Sequence, residues 1–149
     1  MHFHESKKKS ALPVTKVLFI HLLNDYSGSP KILSQVINLA RTNQKDFALY
    51  TGNDSKGFLS GLTKNQHFYF YKRFNNKYFT LFSFLLSQVI LFGMLLKYWN
   101  KNVVIYVNTM LPFGASLAGW LMRKPVYYHI HEIYIKPKRL KVFLRQVIQ

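Results

Sequence analysis

Apolar residues along the chain fall into runs of two alternating kinds. Lys16–Leu23 (KVLFIHLL) is almost continuously apolar and rich in branched and aromatic residues, the pattern of a parallel strand buried on both faces. The turn composition Asn24-Asp25-Tyr26-Ser27-Gly28 stops it. Ser29 is placed to cap a helix, and Pro30 suits its first position. Ile32, Leu33, Val36, Ile37 and Ala40 then recur at helical spacing, toward an end near 41–43.

The alternation continues. Residues 47–51 form a second strand, ended by Gly52-Asn53-Asp54, and 57–62 make a helical turn. A third strand covers 67–71, followed by a basic, asparagine-containing loop over 72–77. Residues 78–99 form one long apolar helix with a narrow polar stripe at Thr80, Ser83 and Ser87. A fourth strand, 103–107, ends at Asn108-Thr109. Pro112 opens a helix over 113–122, whose small residues Gly114, Ala115, Ser116, Ala118 and Gly119 let it lie close on a sheet. A fifth strand, 125–130, runs into His131-Glu132, and a final helix covers 138–148. Residues 1–15 read as a flexible basic tail, and neither they nor the short apolar run after them form a secretory signal.

Strand alternating with helix predicts an α/β, Rossmann-like doubly wound parallel sheet of about five strands joined by right-handed crossovers. In that topology the first strand is central and the fourth lies beside it. Ligands bind beyond the carboxyl ends of the strands, where the order reverses. Three polar clusters are expected at that edge: 24–28, Asn108-Thr109 and 129–132.

Charge widens the choice of ligand. Lysine and arginine number 21 against 5 acidic residues, a net charge of +16, which attracts nucleic acid, anionic lipid or nucleotide phosphate alike. No helix-turn-helix, zinc-finger or RNP pattern is present, so no specific nucleic-acid partner is expected. With no cysteine, disulfides, thiolate metal sites and a cysteine nucleophile are excluded.

Each candidate residue has a plain structural alternative. Gly28 and Ser29 open a helix whose free N–H groups and dipole suit an anion. The same residues suit an ordinary turn, and neither the dinucleotide fingerprint nor the phosphate-loop pattern is present. Asn108 and Thr109 can bond sugar hydroxyls or close a turn. His129 and His131 alternate on one strand, but no third ligand accompanies them, so no metal is expected. His131 and Glu132 stand at a strand end, as a binding pair or in contact with solvent. Glu132 is one of few acidic residues in a very basic chain.

Taken in order, the segments KVLFIH (16–21), NDYSGSP (24–30), VIYVNT (104–109) and YHIHE (128–132) resemble the amino-terminal domain of bacterial family 4 glycosyltransferases, of GT-B architecture. That resemblance implies two Rossmann-like domains facing a cleft, with the acceptor on this side and a nucleotide-sugar donor on the other. It implies sugar transfer with retention of configuration and no metal or other cofactor. Gly28 would lie near the donor phosphates and the acceptor, and His131-Glu132 would contact the transferred sugar. The acceptor would be a cell-envelope glycan or a lipid-linked molecule. The setting would be cytoplasmic, peripheral on the inner face of an anionic membrane. Residues 16–149 would form the acceptor-side domain, short of its last strands and of the donor-binding domain. The expectation is a truncated half-enzyme, or one completed by a partner chain, with little transferase activity alone. Two alternatives stand beside it: a non-catalytic basic nucleic-acid binder, and a single-span membrane protein with 78–99 as the span.

Overall fold

The computed structural model describes residues 16–53 and 56–130. The basic tail, Asp54, the His131-Glu132 pair and the helix expected at 138–148 lie outside the described residues. The elements are β1 (Lys16–Leu23), α1 (Gly28–Thr42), β2 (Phe47–Gly52), β3 (Gln66–Tyr69), α2 (Lys77–Leu95), a 3-10 turn (Leu96–Tyr98), β4 (Val103–Asn108), α3 (Phe113–Leu121) and β5 (Val126–His129). All strand pairs are parallel, in the order β3-β2-β1-β4-β5. The expected Rossmann-like α/β sheet is what the chain forms.

Strand periodicity divides the core into two faces. On β1, Leu18, Ile20 and Leu22 point to one side, where Val103, Ile105 and Val107 of β4 join them under α2 and α3. Phe19 points to the other side, against Leu33 and Ile37 of α1 and Leu49 of β2. Because both faces are covered, β1 has no polar alternation to show, as its sequence predicted. Each of these fully buried aliphatic side chains contributes about 1.5–3 kcal/mol of burial.

Close approach explains two glycines. A Cβ on Gly114 would meet the Gln88 carbonyl oxygen of α2 at 2.3 Å, and one on Gly119 would meet Val126 Cγ2 at 2.3 Å. The small residues of α3 therefore bring it against both α2 and the sheet, in line with the sequence pattern.

Three boundaries differ from expectation. The N-cap of α1 is Ser27, not Ser29, because the Asp25 carboxylate accepts the Ser27 N–H at 2.9 Å and turns the chain early. Pro30 then sits in the first turn, where its missing N–H is not needed. Strand β3 stops at Tyr69 because its one neighbour, β2, ends at Gly52, the residue paired with Tyr69. The long apolar helix starts at Lys77, where the Asn76 side chain accepts the Tyr78 N–H at 2.8 Å. It ends at Leu95 and tightens into the 3-10 turn.

The single-span alternative fails on topology. Helix α2 is long and apolar enough to cross a membrane. Yet it joins β3 to β4, and both strands belong to one sheet through β2 and β1. A crossing helix would part them.

Candidate functional site

The carboxyl ends of β1 and β4 lie side by side, with Ile20 paired to Val107. Beyond them the chain leaves in opposite directions, to α1 from β1 and to α3 from β4. A cleft of about 80 Å³ opens at this reversal, lined among others by His21, Asp25, Ser27, Ser29 and Thr109. It lies where a doubly wound sheet places its ligand.

The four described candidate residues occupy different depths. Ser29 and Thr109 line the cleft. Gly28 is the first residue of α1, exposed, with nothing within 4 Å of where a Cβ would stand. The fold itself therefore does not require a glycine there, and the N–H groups of Gly28 and Ser29 belong to the first helical turn, which has no intrahelical acceptors. Asn108 lies behind the cleft, fully buried. Its Nδ2 donates to the Ser29 carbonyl and hydroxyl, both at 3.0 Å. His131 and Glu132 lie outside the described residues. Strand β5 reaches the same edge, because His129 pairs with Asn108. The His129 ring turns back to the Tyr106 hydroxyl, the hydrogen-bonded reading of that histidine.

Thr109 is the most constrained of these residues. Its φ is +88°, a region that a β-branched residue adopts only under strain. Its N–H donates to the His129 carbonyl at 3.0 Å, which holds it there. Its hydroxyl is buried and has no hydrogen-bond partner among the described residues. A buried hydroxyl left in that state costs about 1–3 kcal/mol. Strain and an unspent polar group coincide at the wall of the cleft.

Sequence reasoning did not single out His21, and it placed Asp25 on the polar rim without giving it a role. His21 is buried, and its Nδ1–H donates to the Asn108 carbonyl at 2.9 Å. The 3.3 Å approach of Asn108 Nδ2 to the same nitrogen is then a contact and not a bond. Tyr69 donates to the His21 carbonyl at 2.9 Å, so the histidine is fixed from both sides. Asp25 is held below the ordinary carboxylate range by its bond to Ser27, helped by the nearby charges of His21 and Arg73. The available signals were a lone polar residue inside an apolar strand and an aspartate two residues before a serine.

Asn24, counted among the polar rim, has a structural task. Its Oδ1 accepts the Leu59 N–H at 2.9 Å and its Nδ2 donates to Ser60 at 3.0 Å, pinning the 57–60 turn. Gly57 permits this, since a Cβ there would lie 2.3 Å from Asn24 Oδ1.

The cleft thus presents hydroxyls, helix-start N–H groups and one ionised carboxylate. That set pairs with a hydroxyl-rich ligand, donating and accepting at once. Among the described residues, no three histidine or acidic side chains come together as metal ligands.

Two solved structures share this architecture. The Anabaena protein HepE, crystallised with UDP and glucose, superposes with a TM-score of 0.61 over 89% of this chain, at 18% identity. The glycotransferase of kitacinnamycin superposes with a TM-score of 0.60 over 89% of the chain, at 9% identity. The fold is a Rossmann-like glycosyltransferase fold. At such identities the fold is what is shared. The chain spans 35% of the length of the first structure and 34% of the second. No family model and no curated protein matches the chain.

Proposed function

We propose that this chain is the acceptor-side domain of a GT-B glycosyltransferase, of the family 4 kind. The parent activity moves a sugar from a nucleotide-sugar to a cell-envelope glycan or lipid-linked acceptor. The observation that carries this reading is the cleft at the β1–β4 reversal, with the strained Thr109 and its unpartnered hydroxyl in the wall. The shared fold supports it, since one of the structures that superpose was solved with UDP and glucose.

In this reading Ser29 and Thr109 bond sugar hydroxyls. The N–H groups of Gly28 and Ser29 offer a helix start to the leaving diphosphate. Asn108 acts through Ser29 and is a positioning residue. His131 and Glu132, which follow β5 in the chain, complete the sugar contacts. The donor nucleotide is held by a second domain, in the same polypeptide or a partner chain, so these residues alone do not turn over. The reaction runs on the cytoplasmic side of a membrane, and no metal or cofactor takes part.

Amide chemical shifts of the chain, titrated with monosaccharides and separately with UDP, test the reading. Sugar-dependent shifts concentrated at Ser29 and Thr109 are expected, and purified chain should show no sugar transfer from nucleotide-sugar donors. Shifts confined to a distant surface, or robust transfer by the chain alone, would overturn it.

A further inference from the structure

We infer that the acceptor is an acidic glycan, whose anionic sugar unit, a uronate or a sugar phosphate, binds Arg73 and Lys77 in a cleft adjoining the β1–β4 reversal. The inference deepens the glycosyl reading and rests on it.

Two clefts share a wall. The larger, about 320 Å³, lies at the start of α2 and is lined by Arg73, Lys77, Tyr71 and Phe84, together with Leu22 and Leu111. Leu22 and Leu111 also line the cleft of about 80 Å³ at the β1–β4 reversal. Ligand pockets ordinarily span about 300–1,000 Å³. The smaller cleft falls well short of that range, and the pair reaches it. An acceptor that fills both is longer than one sugar unit.

The larger cleft combines an apolar floor with cations. Tyr71 and Phe84 are buried, and their rings meet edge to face at 6.4 Å. Beside them stand the guanidinium of Arg73 and the ammonium of Lys77, both on exposed residues. Among the described residues the one ion pair is Lys16–Asp46, so neither cation is salt-bridged there. No acidic residue occurs between Asp54 and Glu132. The ligand that matches such a cleft has an apolar face and a negative charge. A sugar ring offers a face of C–H groups, and a carboxylate or phosphate on it supplies the charge. Arg73 can meet either group with two parallel N–H bonds.

Helix α2 fixes the loop that carries Arg73. The Lys72 N–H donates to the Ser83 hydroxyl at 2.8 Å, and the Phe74 N–H donates to the Thr80 hydroxyl at 2.9 Å. The residues on both sides of Arg73 are thus pinned by side chains of the helix. Lys77 opens α2 directly after its cap, Asn76. A loop ordered before binding loses less entropy when a ligand arrives. Two members of the polar stripe on this apolar helix, Thr80 and Ser83, therefore have a task beside the site.

Charge also sets the direction in which the acceptor lies. Asp25 lines the smaller cleft. Its bond to Ser27 keeps it ionised, and Arg73 adds to this. A carboxylate there repels an anion and accepts from neutral hydroxyls. The anionic unit is turned away toward Arg73 and Lys77, and a neutral unit meets Ser29 and Thr109.

Three disaccharides that differ at one carbon test this: cellobiose, cellobiouronic acid and cellobiose 6′-phosphate. Amide shifts of the full 149-residue chain follow each titration, with inorganic phosphate alongside. At least one anionic disaccharide should bind about threefold or more tighter than cellobiose, and about 0.5 M salt should shrink the difference. The uronate and phosphate arms tell which anion the cleft takes. Shifts should appear at Arg73 and Lys77 together with Ser29 and Thr109. Arg73→Gln with Lys77→Gln should remove the preference and leave cellobiose binding unchanged. Lys45→Gln with Lys64→Gln, an equal loss of charge at exposed sites elsewhere, should keep it. If cellobiose shifts Ser29 and Thr109 and neither acid binds tighter, this inference fails and the glycosyl reading stands. If no sugar shifts Ser29 or Thr109, both fail. A preference that survives loss of Arg73 and Lys77, or inorganic phosphate that binds as tightly as the best disaccharide, would also overturn the inference.

Discussion

The side-chain amide of Asn108, at the tip of β4, donates to both the hydroxyl and the carbonyl of Ser29 at 3.0 Å. One buried side chain thereby ties the end of a strand to the start of a helix that lies 79 residues earlier. The cleft wall depends on this tie, because Ser29 lines it and Asn108 does not.

Removing the two ends of that tie should have unequal effects. Asn108→Ala strips a buried donor from two acceptors and leaves a void, so a loss of about 2–3 kcal/mol is expected. Ser29→Ala leaves the carbonyl acceptor in place and should lose about 0.5–1.5 kcal/mol. Urea denaturation of both variants measures the difference. Equal losses would mean that the hydroxyl, and not the backbone, anchors the amide.

Thr109 offers the opposite trade. Thr109→Gly relieves a β-branched residue of φ +88° and removes a buried hydroxyl without a partner. The gain exceeds the extra chain entropy of glycine, so the variant should be more stable by about 1 kcal/mol. It should also lose sugar-dependent shifts at Ser29. A destabilised variant with unaltered sugar response would show that the strain has no tie to a ligand.

Glycines in α2 and α3 should respond in opposite directions to alanine. Gly93→Ala meets no atom within 4 Å and adds helix propensity, so a gain of about 0.5–1 kcal/mol is expected. Gly114→Ala drives a methyl into the Gln88 carbonyl and should lose about 1–3 kcal/mol. Thermal melts of the pair read both signs.

Alkaline pH should unfold the chain through its buried tyrosines. Burial raises Tyr50 above the ordinary value of 10.0, with the Tyr98 hydroxyl at 3.0 Å adding to it. Burial also raises Tyr69, and Tyr128 is pushed up to about 12. Above pH 10 the unfolded chain loses these protons while the folded chain keeps them. The stabilisation is therefore complete below about pH 10 and is lost as pH rises. Each such tyrosine steepens the fall by about 1.4 kcal/mol per pH unit. Urea midpoints taken across pH 10 to 12 should drop, and Tyr128→Phe should flatten the drop. A flat profile would contradict the burial of these hydroxyls.

Much of this was legible along the chain. Lys16–Leu23 announced a central strand because burial on both faces leaves no polar position to alternate. The turn after it and Asn108-Thr109 were placed at one rim by topology alone, and β1 and β4 are indeed neighbours. Ser29 was misassigned as a cap because Asp25, two residues before Ser27, supplies the acceptor that turns the chain, a bond with no periodicity to reveal it. His21 was overlooked for a similar reason, since its partner Asn108 is 87 residues away.

Local chemistry was enough to dictate strand, helix and the parallel crossovers, because periodicity and turn residues act over a few positions. It also exposed the excess of cationic charge. Only folding assigned the two sides of α2, whose serines and Gln88 found donors and acceptors inside beside Phe84, Leu91 and Leu95, while Phe79, Leu81, Phe82, Leu85 and Leu86 were left outside. Only folding forced Thr109 into its strained conformation, through the carbonyl of His129 on a strand formed later in the chain. Contacts between distant segments carry no signature in either segment alone, and those are the contacts that shape the cleft.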